Sequence, residues 1–228
     1  MRLAEHRSEL ALAPRVGWSG IVGAGLVVVG CAVAALLFEH NGYRYSPLGC
    51  FISELGDVEH SRGHAAFNAG LMLSAAPLLY FMIALGRHYR GWLPRVAQLA
   101  GGVASVGAFF VGVFPMNELA AHMTAANTFF YGGMIAVFIY SIVIFVAPGL
   151  LPRTMAFFGS MVGLTFASFL FLPLHYFVGP APTLLKDAPY QHPDFWLIAF
   201  VEWLVLVSVL GWVLAISAAL IVRARGRG

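Results

Sequence analysis

Val16-Gly17-Trp18-Ser19-Gly20-Ile21-Val22-Gly23-Ala24-Gly25-Leu26-Val27-Val28-Val29-Gly30-Cys31-Ala32-Val33-Ala34-Ala35-Leu36-Leu37-Phe38 runs without a single charged side chain, and its reading decides the fold. As a helix rising 1.5 Å per residue it extends about 34 Å, enough to cross a hydrocarbon core of about 30 Å. Working outward, five further stretches reach the required length of about 20 predominantly apolar residues: 65–85, 96–114, 123–147, 155–177 and 195–222. The chain of 228 residues is 60% hydrophobic and only 10% charged, with a mean hydropathy of +0.83, which a water-soluble domain does not reach. The expected fold is all-α: one integral membrane domain, residues 1–228, built as a bundle of six transmembrane helices.

A competing reading treats the first stretch as a leader, because Val28-Val29-Gly30-Cys31 resembles a lipoprotein cleavage box. The stretch is long enough to span, and small-residue runs ending in Cys arise easily in Gly- and Val-rich helices, so it is read as a retained span. Six spans then place both termini on one side. Putting that side in the cytoplasm collects Arg2, Arg7, Arg15, Arg87, Arg90, Arg95, Arg153, Arg223, Arg225 and Arg227 there, and leaves only Arg44, Arg62 and Lys186 outside. The expectation is therefore a plasma-membrane protein with cytoplasmic N and C termini. The basic pI of about 9.1 follows from that topology and from contact with anionic lipid headgroups. The arginines are spread over four short segments rather than one face, which excludes a nucleic-acid-binding role. Two cysteines make no disulfide framework.

The first outer connection, Tyr45-Ser46-Pro47-Leu48-Gly49-Cys50-Phe51-Ile52-Ser53-Glu54-Leu55-Gly56-Asp57, does not read as a solvated linker. Leu48, Phe51 and Ile52 have no use in water, so the segment is expected to fold back on the bundle and deliver Ser53 and Glu54 to a polar site. Ser61 is the expected N-cap of the second helix, with His64 in its first turn. Pro115 ends the third helix at the outer surface, followed by Asn117, and His122 opens the fourth. Glu202 lies about 12 Å along the sixth helix from Asp194, where a central charge costs about 2.5–3.5 kcal/mol on insertion scales.

Intramembrane ionisable residues face one another or a cavity. One outward-facing pocket is therefore expected from Ser53, Glu54, Asp57, His64, Asn117, His122, His175 and Glu202. In its plainest form Glu54 and Asp57 pair with histidines and helix N-termini to hold the loop. In a sharper form His64, His122 and His175 bind zinc or another divalent ion that activates water against a lipid ester or amide. His60-Ser61-Arg62-Gly63-His64 lacks the helix-borne glutamate of the zinc-protease motif. Ser53 or Ser168 with His175 and Glu202 could form a triad, but no Gly-x-Ser-x-Gly elbow accompanies them. A haem between facing histidines is a further alternative, and no phosphate-binding glycine loop is present.

The segment Phe51-Ile52-Ser53-Glu54-Leu55-Gly56 with Phe67-Asn68-Ala69-Gly70-Leu71, and Val111-Gly112-Val113-Phe114-Pro115-Met116-Asn117 with His122, resemble the six-span prokaryotic membrane proteins grouped as domain of unknown function 998. That family is in turn distantly similar to DRAM-like membrane proteins, which are linked to lipid handling and membrane regulation. The resemblance implies Ser53, Glu54, Asn117 and His122 as a shared polar set, without naming a ligand or a reaction. The expected function is binding of a lipid headgroup or of a partner membrane protein at the outward-facing pocket, with no catalytic residue assigned and no cofactor required. The alternatives are a metal-dependent membrane lipid hydrolase and a proton-coupled transporter using Glu202.

Overall fold

A computed structural model describes residues 2–40, 43–147, 150–172 and 192–226, with side chains from residue 13 onward apart from 40 and 43. Six helices account for most of it: α1 (Arg2–Leu37), α2 (His64–Arg87), α3 (Leu93–Val113), α4 (Leu119–Val146), α5 (Arg153–Phe171) and α6 (Leu197–Arg225). All six are long and apolar enough to cross a membrane, α1 over Ala13–Leu37. Their exposed residues are the large apolar ones, among them Leu36, Leu99, Val146 and Val222. Such a surface is stable against lipid and would aggregate in water. The chain is an integral membrane bundle.

The helices pack in chain order, each against the next, and α6 closes on α1. The result is a ring. Small residues make the tight contacts, since apolar burial drives little association inside lipid. Between α1 and α2, a Cβ added at Gly30 would stand 2.8 Å from the Ala66 carbonyl, and one at Gly70 would stand 2.9 Å from that of Leu26. At the closing seam between α1 and α6, a Cβ on Gly17 would lie 2.7 Å from both the Ser217 carbonyl and the Ile221 side chain.

Toward one end of the ring lie Trp212, Tyr140 and Phe81, all fully buried. The Tyr140 hydroxyl donates to the Met82 carbonyl, and Arg223 donates to the Leu150 carbonyl at 2.8 Å. At the other end, a two-residue hairpin pairs Glu39 with Arg44 and His40 with Tyr43, and a 3-10 turn follows over Ile52–Gly56. The expected cap of α2 is corrected here. The helix starts at His64 with Gly63 in the N-cap position, and Ser61 instead accepts the His64 amide at 3.2 Å through its carbonyl. Gly63 lies close against the Ala34 backbone of α1, where a side chain would collide. The fifth span, expected to reach residue 177, is described as far as Phe171 with the helix cap at Leu172, and His175 lies outside the described residues.

Two glycines of α1 separate packing from propensity. Gly30→Val forces α1 and α2 apart and should lower stability by about 1–3 kcal/mol. Gly25→Ala points into open space and should be neutral or stabilising by up to about 1 kcal/mol. Thermal unfolding of the two variants in the same detergent checks the contrast.

Candidate functional site

Ring packing leaves a space along the axis. Its volume is about 120 Å³. Its wall is apolar apart from Ser53, Ser74, Ser105, His122 and Glu202. Ser74 and Ser105 donate to carbonyls of their own helices, Leu71 at 2.8 Å and Gly101 at 2.9 Å, so their hydroxyl protons are already used. The polar character of the cavity is therefore concentrated in Ser53, His122 and Glu202.

The segment from Tyr45 to Asp57 lies across that end, held by bonds to several elements. A non-helical backbone next to lipid must find partners for its amides within the protein. The Ile52 amide donates to the Glu202 carboxylate at 2.8 Å, and the neighbouring Phe51 amide donates to Glu54 Oε1 at 2.7 Å. The Tyr45 hydroxyl donates to the Phe51 carbonyl at 2.9 Å and accepts from the Trp203 indole at 2.9 Å. Burial, reinforced by the nearby Glu202 charge, raises this phenol far above its ordinary range, so it remains a donor. From α2, Asn68 donates to the Gly56 carbonyl at 3.1 Å.

Asp57 anchors the far end of the segment. Its Oδ1 accepts from the Glu59 amide at 2.8 Å, the His60 amide at 3.2 Å and Asn117 Nδ2 at 2.9 Å, and its Oδ2 meets His60 Nδ1 at 2.8 Å. Asn117 also accepts the Val58 amide at 2.9 Å, which ties the segment to the α3–α4 connection. Burial alone would raise the Asp57 carboxyl. The bonds from His60, Asn117 and Glu59 outweigh it and hold the group below its usual value of 3.8.

Of the residues singled out in the sequence, all but His175, which lies outside the described residues, have a definite place. Ser53, His122 and Glu202 line the cavity, and Ser53 Oγ lies 3.7 Å from the Met116 sulfur. His122 is buried and donates through Nδ1 to the Phe114 carbonyl at 2.9 Å, which leaves the Nε2 lone pair to a side chain that borders the cavity. His64 uses Nδ1 on the Ser61 carbonyl at 2.8 Å and does not line the cavity. Asp57 and Asn117 belong to the bracing network. Glu54 faces away from the cavity lining toward His192, whose Nε2 lies 2.9 Å from Glu54 Oε2, with both side chains buried. His192 and Cys50 are the site residues that sequence reasoning missed: His192 is remote in the chain, and Cys50 was read only as one of two thiols. Their spacing to Glu54 carries no recognised motif.

The two carboxylates make separable predictions. Glu202→Gln keeps an acceptor for the Ile52 amide and should leave the loop protected from proteolysis. Glu202→Leu orphans that amide at a cost of about 1–3 kcal/mol and should expose the loop to protease. For Asp57, a depressed folded pKa means its stabilisation is fully present above 3.8 and is lost as the pH falls through the lower folded value. Melting curves in detergent should show wild type losing stability as the pH drops below about 4, and Asp57→Asn, less stable at neutral pH, losing less over the same interval.

No curated protein and no solved structure matches the chain. The motifs at Phe51–Gly56 and Val111–Asn117 both fall within the region that a family description covers. That family, described as Protein of unknown function (DUF998), matches residues 21–219, from within α1 to within α6, and the chain belongs to it.

Proposed function

We propose that the protein binds a membrane lipid, with an acyl chain in the axial cavity and the headgroup against Ser53, His122 and Glu202 beneath the Tyr45–Asp57 segment. The observation that carries this reading is the cavity itself: about 120 Å³ within a largely apolar wall, with Ser53, His122 and Glu202 at the covered end. An acyl chain satisfies such a wall by dispersion and removal of apolar surface, while an ester or phosphate oxygen suits a serine hydroxyl and an imidazole. The Ile52–Glu202 bond gives Glu202 a positioning role, since it holds the covering segment at the point where a headgroup would sit.

Orientation belongs to the same proposal. The covered end carries Glu39, Glu54, Asp57, Glu59, Glu118 and Asp194, and the opposite end carries Arg15, Arg87, Arg90, Arg95, Arg153 and Arg223. By the bias of basic residues toward cytoplasmic loops, the lipid site opens to the outside and both termini lie in the cytoplasm of a plasma-membrane protein.

Mass spectrometry of the chain purified in mild detergent tests this. Wild type should retain about one acyl lipid per chain after extensive washing. Ala126→Phe, which fills the cavity wall, should lower retention at least about tenfold, a loss of 1.4 kcal/mol or more in binding. Equal lipid content in wild type and Ala126→Phe, with both folded, overturns the reading.

A further inference from the structure

On the far side of the 3-10 turn from the cavity, three side chains of metal-binding type converge: Cys50, Glu54 and His192. Cys50 is fully buried, Glu54 is 3% exposed, and the His192 side chain is equally enclosed. One donor atom from each lies within 4.8 Å of the others.

The backbone explains the convergence. A helical turn, closed by the Cys50 amide on the Ser46 carbonyl at 2.9 Å, brings Cys50 one turn before Glu54. The stretch leading into α6 is then clamped alongside. The Trp196 amide donates to the Leu48 carbonyl at 2.7 Å, and the rings of Phe51 and Trp196 meet edge to face at 4.7 Å. Gly49 lets the Pro193 carbonyl approach where any side chain would collide, which sets His192 against Glu54. Glu54 is also oriented from behind, because the Phe51 amide occupies Oε1 and turns Oε2 toward His192. Backing of this kind is how proteins fix a ligating carboxylate.

We propose that Cys50 Sγ, Glu54 Oε2 and His192 Nε2 bind one zinc ion or a similar borderline-soft divalent ion, with a fourth position open to water or another ligand. The donor set selects the ion: thiolate and imidazole favour zinc, whereas calcium and magnesium take oxygen. The size also fits. Zinc bonds of about 2.0–2.3 Å in a tetrahedral arrangement separate the donors by about 3.3–3.8 Å. The Glu54–His192 pair opens from 2.9 Å by less than about 1 Å to admit the ion between them. Zinc takes the thiolate form of a cysteine ligand, so protons compete with the ion for the site. The ion staples the segment that covers the cavity to the entry of α6. A simple Glu–His latch would need only two of the three groups.

This inference stands apart from lipid binding, and each can fail alone. The test uses the full chain in detergent micelles without a polyhistidine tag, stripped with chelator and titrated with cobalt(II) and then zinc. One cobalt per chain is expected, with the visible bands of a tetrahedral site and a thiolate charge-transfer band in the near ultraviolet, all displaced by zinc. Cys50→Ser should abolish the charge-transfer band, and His192→Ala should weaken binding by more than about 100-fold, since even second-shell losses cost 10- to 100-fold. His64→Ala should bind as wild type does. Substoichiometric cobalt in the wild type, or a wild-type spectrum in both Cys50→Ser and His192→Ala, overturns the proposal. Because the wild-type stoichiometry decides alone, misfolding of a variant cannot rescue it.

Discussion

The hydrogen bond from the Ile52 amide to the Glu202 carboxylate joins the first connection of the chain to its sixth helix, 150 residues away. A non-helical turn at a membrane surface has amides that neither lipid nor a helix can satisfy. Glu202 and Glu54 each accept one of two consecutive amides, and those bonds let an apolar turn lie over the bundle rather than stand out in water. The acid that costs most to insert is thereby used as an acceptor, and the loop that would be hard to place acquires a fixed position. Tyr45, Trp203, Asn68 and Asn117 extend the same solution to the remaining polar groups of the segment.

The ring arrangement explains the cavity without special pleading. Six helices packed mainly against their chain neighbours, with α6 closing on α1, enclose an axis that no helix fills, and side chains must occupy it or leave it open. Large aromatic residues, Trp212 and Tyr140 among them, fill the arginine end. The cavity wall mixes the small Ala104, Ala108 and Ala126 with Phe67, Phe129, Phe130 and Phe166, and the space left between them lies beneath the covering segment.

The six spans are legible in the sequence because bilayer thickness sets a length that composition either meets or fails, and all six stretches meet it. Helix ends are less legible. Ser61 has the right chemistry for a cap, but the helix starts at His64 with Gly63 in the N-cap position against Ala34 of α1, and no local pattern reports a contact with another helix. The polar residues divide in the same way. Ser53, His122 and Glu202 stand out as polar residues at depth, and they share one wall. His192 sits in a proline-containing connection where a histidine attracts no notice, and its relation to Cys50 and Glu54 exists only after α6 has packed beside the first loop.

The seam between α1 and α6 has a consequence for biogenesis. A chain emerging from the ribosome presents α1 to the membrane well before α6, so the face of α1 at Gly17 waits for its neighbours Ser217 and Ile221. The covering segment is made early, yet its acceptor Glu202 and its neighbour Trp203 belong to the last helix. Until α6 packs against α1 and α5 the ring is incomplete, so the chamber depends on an element made long after the segment that covers it.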